Sequence, residues 1–120
     1  MNMKVFVYCN LHKKLWSVKA LEGENKGRVI AHMTEFVIKD CTFKISEAGR
    51  QRVIREQRKN VHAGVVGVIS TEDSLDFDGV GHPITYNPYR TPSFVMVTDD
   101  SPVYTAKIVY AVGRDIKAVL

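Results

Sequence analysis

The stretch ISEAGRQRVIREQRKNVHA, residues 45–63, is the one long segment of this 120-residue chain whose pattern predicts an α-helix. Ser46 is a favoured N-cap residue, and Glu47 in the first turn complements the helix dipole. Asn60 tolerates the left-handed conformation in which many helices end. We therefore place the principal helix at about residues 46–60, and take it as the element around which the rest of the chain is arranged.

The predicted helix carries an excess of positive charge. Its carboxylates are those of Glu47 and Glu56, and its cations are Arg50, Arg52, Arg55, Arg58 and Lys59. On a helix, Val53 and Ile54 lie opposite most of these cations, whereas Arg50 falls near the apolar face. Two interpretations remain open. The helix is either an ordinary solvated amphipathic element, or a surface on which Arg50, Arg55 and Arg58 contact ligand phosphates through their guanidinium groups.

The composition is that of a soluble globular domain. Hydrophobic residues make up 45% of the chain and charged residues 25%, and residues 1–120 suffice for a single domain with its own core. No apolar run reaches the roughly 20 residues of a membrane span, and no signal-peptide core is present. Cys9 and Cys41 lack metal-ligand spacing and are typical of reduced cytoplasmic thiols. We expect a cytoplasmic protein without a membrane segment, metal or cofactor.

Alternating apolar residues predict strands on both sides of the helix. The expected strands and extended segments span residues 4–9, 15–20, 28–32, 35–38, 41–45, 61–69, 83–86, 93–98 and 103–112. The first two are expected to form a hairpin, and the fourth and fifth another hairpin that turns at Lys39 and Asp40. Glycines in the strand after the helix indicate bulges or close backbone approach. The apolar residues 116–120 can extend the sheet or bind a partner. The sequence thus predicts an α+β fold, mostly antiparallel β-sheet with one principal helix.

Motifs for catalysis are missing from the sequence. It contains no nucleophile elbow, no Walker-type phosphate loop and no paired-carboxylate pattern. The histidines are not spaced as metal ligands; they are His12, His32, His62 and His82. His62 follows the helix, where a structural hydrogen bond to the backbone is a commoner role than catalysis, and we keep it as a candidate ligand contact. The sequence does not predict an enzyme.

The segment YNPYR, residues 86–90, combines two aromatic rings, an amide and a guanidinium on a backbone constrained by proline. Tyr86 and Tyr89 can stack on a base, Asn87 can bind its polar edge, and Arg90 can neutralise a phosphate. The alternative is a proline-containing turn whose tyrosines cover the edge of the core. Both interpretations remain open.

Two more residues are candidates for ligand binding. Phe77 lies in the polar stretch 70–81 as either a loop anchor or a stacking platform, and Arg28 is either an ordinary strand-end cation or a phosphate contact. Together with the basic helix and residues 86–90, they favour a small anionic ligand that contains an aromatic base.

Several segments resemble a family of short phage proteins. They are NLHKK (10–14) with SV (17–18), GRVI (27–30) with His32, SEAGRQRV (46–53), RKNVHA (58–63), and YNPY (86–89) with FV (94–95). The family is the first-described Thoeris anti-defence family, which comprises phage sponges for cyclic ADP-ribose signals. The similarity spans about residues 5–97, and RKNVHA and YNPY are its most specific strings.

This resemblance implies a function and a partner. Such proteins sequester a glycosidic isomer of cyclic ADP-ribose, made by a bacterial TIR-domain sensor, without cleaving it. They form dimers or larger assemblies with ligand near subunit contacts, and some also capture cyclic oligonucleotides. A Phe and an Asn ten residues apart line the family's pocket, a spacing that Phe77 and Asn87 match. The resemblance does not assign the diphosphate to one arginine, and it is poor at residues 22–27 and after 98.

The resemblance favours a nucleotide sponge that acts in the host cytoplasm and evades Thoeris immunity. Three other classes of protein remain open as alternatives. A nucleic-acid-binding protein would use the basic helix, although 9% aromatic residues and a net charge of +4 are low for a duplex-binding module. A phosphodiesterase would need a metal or paired-histidine motif, which the sequence lacks. A structural virion component is the remaining option. We expect an oligomer, either a dimer or a multiple of dimers, for which nucleic acid is not the ligand.

Overall fold

Ten strands and one short helix make up the part of the chain that the structure, a computed structural model, describes: residues 2–10, 15–56, 63–70, 81–113 and 115–120. In chain order the elements are β1 (Asn2–Asn10), β2 (Leu15–Ala20), β3 (Val29–Met33), β4 (Glu35–Ile45), α1 (Glu47–Glu56), β5 (Ala63–Ser70), β6 (His82–Thr85), β7 (Phe94–Met96), β8 (Pro102–Val103), β9 (Thr105–Val112) and β10 (Asp115–Val119). Strand predominates and the helix is minor, which agrees with the predicted class.

All ten strands form one sheet in the order β3-β2-β1-β5-β4-β9-β10-β6-β7-β8. The paired neighbours run antiparallel, and the predicted β1–β2 hairpin is confirmed. The apolar residues near the end of the sequence form β10, which pairs with both β9 and β6. Because β10 buries Ile116 and Ala118, this segment extends the chain's own sheet.

One face of the sheet forms the core. Val7 lies opposite Val18 on β2 and Val65 on β5, and Ile38 on β4 lies opposite Val109 on β9. Residues opposite each other point to the same side of a sheet, and these five are at most 1% exposed. Full burial of such a side chain contributes about 1.5–3 kcal/mol. These two groups of buried side chains on the core face are therefore a principal source of stability.

The sheet curves until its core face closes on itself. Trp16 lies on β2, and its indole Nε1 donates to the carbonyl oxygen of Gly113, just after β9, at 2.7 Å. Four strand spacings of about 4.8 Å would put these strands roughly 19 Å apart in a flat sheet. The Trp16 ring also meets Phe36 of β4 edge to face, with centroids 5.1 Å apart. Such contacts across the concave side require strong curvature.

The segment predicted to turn at Lys39 and Asp40 is instead one continuous strand, β4. Asp40 has a positive φ of 53°, and the register with β5 shifts between Lys39 and Thr42. Asp40 and Cys41 therefore share the place opposite Gly67, which defines a β-bulge. The hairpin prediction was wrong because the extra residue of a bulge interrupts the apolar alternation in the way that a tight turn does.

Both glycines of β5 lie where another part of the chain approaches closely. A Cβ at Gly67 would lie 2.8 Å from the carbonyl oxygen of Lys39, at the bulge. A Cβ at Gly64 would clash with the carbonyl oxygen of Val7 and lie 2.7 Å from the Phe6 ring. The prediction that glycines mark bulges or close approach in this strand is confirmed.

The described part of helix α1 is more peripheral than the sequence predicted. The described helix is Glu47–Glu56, and Val53 is its buried residue; residues 57–60 lie outside the described part. The predicted N-cap is confirmed, since the Gly49 N–H donates to Ser46 Oγ at 3.2 Å. Farther on, the strand predicted at 103–112 is divided at Tyr104 into β8 and β9.

We expect Gly67→Ala to lower the free energy of unfolding by about 2–3 kcal/mol, in the upper part of the usual cost of overpacking. The added methyl would meet the Lys39 backbone, which cannot move without disturbing the bulge. The matched control is Gly23→Ala, at a loop glycine with a φ of 81° and nothing within 4 Å, which should cost only about 1 kcal/mol of backbone strain. Urea denaturation measures both, and equal losses would contradict the bulge contact.

The two thiols should differ in reactivity. Cys41 is buried, and burial raises the pKa of its thiol to about 12. The reactive thiolate is therefore nearly absent at pH 8, whereas Cys9 is exposed. In a colorimetric thiol titration we expect one fast-reacting thiol per native chain and two in denaturant. Cys9→Ser should abolish the fast reaction, and a fast reaction that persists in this variant would show that Cys41 is accessible.

Candidate functional site

Two hydrogen bonds attach the turn formed by residues 86–90 to helix α1. Arg50 Nε donates to the carbonyl oxygen of Pro88 at 2.9 Å. The Tyr89 hydroxyl donates to the carbonyl oxygen of Val53, at a longer 3.4 Å. These two contacts bring together Arg50, Tyr86, Asn87, Tyr89 and Arg90, which are candidates from two distant parts of the sequence.

Arg50 holds this arrangement through both ends of its guanidinium. Its Nη1 lies 2.8 Å from Glu47 Oε1, one turn earlier in the helix, and its side chain is only 14% exposed. The position of Arg50 near the apolar face is thereby explained, because the side chain reaches Pro88 beneath the turn. A phosphate that approached Arg50 would have to compete with Glu47, which favours a positioning role for this arginine.

Asn87 organises the backbone of the turn. Its Oδ1 accepts the N–H of Tyr89 at 2.9 Å, which is the geometry of an Asx turn. Its carbonyl oxygen accepts the N–H groups of Arg90 and Thr91, each at 3.1 Å. With Oδ1 committed to the backbone, the Nδ2 group is what this side chain can offer to a ligand.

Tyr86 belongs to an aromatic cluster beneath the turn. Its ring stacks on Phe94 of β7 with centroids 5.0 Å apart, and Phe94 lies 4.8 Å from Phe43 of β4. Burial raises the pKa of the Tyr86 phenol, the Arg50 charge lowers it, and the Glu47 charge raises it again. The phenol therefore stays neutral at physiological pH. This is the role expected of a tyrosine that covers the edge of the core.

The outward side of the turn presents three exposed side chains. Tyr89 is 58% exposed, and the side chain of Arg90 is 68% exposed. Arg90 Nη2 lies 3.6 Å from Asp100 Oδ2, an exposed ion pair of little energetic value. Asn87 is also exposed. An aromatic ring, an amide and a guanidinium are thus offered to solvent on a backbone that is held from below.

The other candidate residues have separate positions. Arg55 is exposed in the last described turn of α1. Arg28 comes directly before β3, the outermost strand at the opposite end of the strand order from β7 and β8. Arg58, His62 and Phe77 lie outside the described residues. The proposed pairing of Phe77 with Asn87 therefore stays a prediction.

Two features were not found from the sequence. Ser17 Oγ lies 3.0 Å from His32 Nδ1, but Ser17 is fully buried and so unsuited to attack a substrate. An open groove is lined in part by Cys41, Tyr104 and Leu120, and none of the described candidate residues is among its lining residues. Both depend on strand pairing between distant segments, which local patterns do not contain.

Within residues 2–10, 15–56, 63–70, 81–113 and 115–120, no three His, Cys, Asp or Glu side chains lie close enough to hold a metal ion. No helix in this part is long and apolar enough to cross a membrane.

Arg50→Ala should destabilise the protein by about 1–3 kcal/mol, because it leaves the Pro88 carbonyl and the Glu47 carboxylate without this partner. Arg50→Lys should recover little, since a single ammonium group cannot reproduce the two-ended guanidinium contact. The control is Arg52→Ala on the exposed side of α1, which should change stability by no more than about 0.5 kcal/mol. Equal melting temperatures for the Arg50 and Arg52 variants would contradict the positioning role.

Comparison with known proteins identifies the relatives of this chain. The family model described as Mycobacterium phage L5 gene 82 protein matches residues 1–119. The gene 82 protein of Mycobacterium phage L5 is 41% identical over 122 residues, which cover 97% of this chain and 95% of the relative. No solved structure matches. Because the similarity extends over nearly the whole length of both proteins, the chain belongs to the family of the Mycobacterium phage L5 gene 82 protein.

Proposed function

We propose that this protein binds and sequesters a cyclic ADP-ribose-type nucleotide without cleaving it, and that the turn of residues 86–90 is part of the binding site. The observation that carries the proposal is the outward presentation of Asn87, Tyr89 and Arg90 by a turn that is fastened to α1. The relative encoded by a phage supports a role in phage infection. The ligand class comes from the resemblance to Thoeris anti-defence proteins.

Each exposed side chain suits one part of such a ligand. The Tyr89 ring can stack on adenine, an interaction worth about 1–3 kcal/mol per base. The Arg90 guanidinium can make charge-assisted hydrogen bonds to the diphosphate. The Asn87 Nδ2 group can donate to a ring nitrogen or a ribose hydroxyl. Phe77 would supply a second ring, as the resemblance implies.

A rigid turn is an advantage for a protein that only binds. A sponge needs tight binding of the ground state and has no use for preferential binding of a transition state. The contacts from Arg50 and Asn87 hold the turn before the ligand arrives, which lowers the entropy cost of ordering it. In the host cytoplasm such binding would withdraw the signal from its effector and block Thoeris immunity.

Assembly into dimers or multiples of dimers is part of the same proposal. The contact cannot use residues 116–120 as a free apolar tail, because these residues belong to β10 and its end. Apolar side chains elsewhere remain more than half exposed, among them Tyr89, Tyr104 and Leu120. A subunit contact through Tyr89 would bring the ligand near the interface, as the resemblance implies.

The decisive measurement is the fate of the ligand. The protein is incubated with candidate cyclic ADP-ribose isomers, freed of unbound ligand, and denatured by heat, and the supernatant is analysed by chromatography. We expect the intact cyclic nucleotide to return in stoichiometric amount. A linear or hydrolysed product would identify an enzyme instead, and an empty supernatant with every candidate would end the proposal.

Variants that preserve the turn localise the binding. Asn87→Asp keeps an oxygen for the Tyr89 N–H but removes the Nδ2 donor, and Arg90→Gln removes an exposed guanidinium. We expect each to weaken binding about tenfold or more, since 1.4 kcal/mol corresponds to a factor of ten. Phe77→Ala should weaken it by about 5- to 150-fold, the range that stacking energies of about 1–3 kcal/mol give.

The matched control is Lys26→Gln, which removes an exposed cation from the loop before β3. Calorimetric titration gives the affinities, and the melting temperature without ligand reports stability. Wild-type affinity in both the Asn87 and Arg90 variants would remove the turn from the site.

A further inference from the structure

The turn of residues 86–90 offers hydrogen-bond donors to a ligand rather than acceptors. Asn87 Oδ1 is committed to the Tyr89 N–H, which leaves the Nδ2 group, and the guanidinium of Arg90 can only donate. The Tyr89 hydroxyl is directed to the carbonyl oxygen of Val53. A cyclic ADP-ribose-type nucleotide carries ribose hydroxyls beside its phosphates, and each hydroxyl can donate a hydrogen bond. Those O–H groups need an acceptor that the turn does not supply.

A carboxylate lies directly beside the turn. Asp100 Oδ2 is 3.6 Å from Arg90 Nη2, and the side chain of Asp100 is 59% exposed. This distance is longer than an ordinary N–H···O hydrogen bond, so the carboxylate keeps lone pairs for another donor. We propose that Asp100 belongs to the ligand site and accepts a hydrogen bond from a ribose hydroxyl of the bound nucleotide. The assignment depends on the proposed sponge function and adds ribose recognition to the same site.

The backbone at Asp100 is held in place. Residues 97–101 connect β7 to β8, and the Met96 N–H donates to the carbonyl oxygen of Ser101 at 2.8 Å. The Asp100 N–H donates to the carbonyl oxygen of Met96 at 3.0 Å. Asp100 has a φ of 59°, a left-handed conformation that Gly, Asn and Asp tolerate best. The carboxylate is therefore presented from a closed turn, as Asn87 is on the other side of β7.

The two carboxylates of this second turn have different surroundings. Asp99 Oδ1 accepts the N–H of Ser101 at 3.1 Å. Hydrogen bonds from the Ser101 hydroxyl and N–H lower the pKa of the Asp99 carboxyl. Within the described part of the chain, the partner of the Asp100 carboxylate is instead the loosely held Arg90. Asp99 thus shapes the turn, whereas Asp100 can serve a ligand.

A guanidinium and a carboxylate side by side suit the chemistry of a nucleotide. The ribose that carries the 5′-phosphate also carries the secondary hydroxyls, so a phosphate bound at Arg90 brings hydroxyls towards Asp100. A hydrogen bond to an ionised carboxylate is shorter and stronger than one to a neutral acceptor. An Asp or Glu binds the ribose 2′-hydroxyl in the same way in dinucleotide-binding folds. Because the exposed ion pair has little energetic value, a ligand can rearrange it at small cost.

The sign of the change in affinity tests the assignment. Asp100→Gly removes the carboxylate, and Asp100→Asn removes its charge; both residue types adopt a positive φ. In calorimetric titration with cyclic ADP-ribose isomers, we expect Asp100→Gly to weaken binding about tenfold, equivalent to 1.4 kcal/mol. Asp100→Asn should weaken it about fivefold, because the amide keeps a neutral acceptor. A carboxylate that merely stood beside the diphosphate would repel it, so tighter or unchanged binding in either variant would overturn the proposal.

The matched control is Glu24→Gln. It removes an exposed carboxylate from the loop before β3, at the opposite end of the strand order from β7 and β8. The control should stay within about twofold of wild-type affinity, since a surface charge beyond the Debye length is largely screened. All variants should keep the wild-type melting temperature. Equal losses in Glu24→Gln and Asp100→Asn would reflect net charge alone and overturn the assignment.

A pair of nucleotides tests the hydroxyl directly. ADP and 2′,3′-dideoxy-ADP differ only in the two secondary hydroxyls of the ribose. We expect the wild-type protein to bind ADP about tenfold more tightly than the dideoxy nucleotide, and Asp100→Gly to reduce this preference to less than about threefold. Equal or undetectable binding of the two nucleotides by wild type would overturn the proposal. So would a preference that Asp100→Gly leaves intact.

These measurements distinguish failure of the assignment from failure of the sponge function. If the wild-type protein returns no intact cyclic nucleotide after heat denaturation, the sponge function fails and the assignment fails with it. If wild type binds, and Asn87→Asp and Arg90→Gln weaken binding while the Asp100 variants do not, only the assignment of Asp100 is overturned. Weakening by all three positions at unchanged melting temperature is the expected result.

Discussion

The closure of a single curved sheet on its own apolar face is the constraint on which the rest of this structure depends. Among the described residues, the one short helix buries Val53 and cannot cover the apolar side of ten strands. The sheet must therefore cover itself, and the hydrogen bond from Trp16 to Gly113 spans the resulting concavity. The bulge at Asp40 increases local twist and curvature. Gly67 allows it, because any side chain there would meet the bulged strand.

Because the sheet closes on its own apolar face, helix α1 is not needed to cover the core. Since the sheet buries its own core, α1 contributes little apolar packing, and its Arg50 is available to hold the turn of residues 86–90. The aromatic contact of Phe43 with Phe94 joins β4 to β7 beneath that turn, although three strands lie between them in the sheet. Sheet curvature and the candidate site therefore depend on the same contacts. A change that flattened the sheet would also displace Tyr89 and Arg90.

Local features of this structure could be predicted from the sequence, and features set by distant pairing could not. The Ser46 cap, the β1–β2 hairpin and the turn at 86–90 depend on residues close in sequence. The bulge at Asp40 was mistaken for a turn because both interrupt the apolar alternation. The position of β5 between β1 and β4 in the sheet is set by contacts between segments that are distant in sequence. The role of Arg50 could not be predicted from the sequence, because its partner Pro88 is 38 residues away. The structure brings the Pro88 carbonyl oxygen to 2.9 Å from Arg50 Nε.

The two arginines of the candidate site have different surroundings, and this difference separates their roles. Arg50 is held against Pro88 and Glu47, and Arg90 pairs loosely with Asp100. A planar guanidinium suits such fixed, directional contacts, whereas a flexible lysine acts as a mobile point charge. Fixed contacts suit one compact ligand with a defined shape. Arg50 is fixed by its two contacts, whereas the guanidinium of Arg90 stays exposed to solvent on the outward side of the turn.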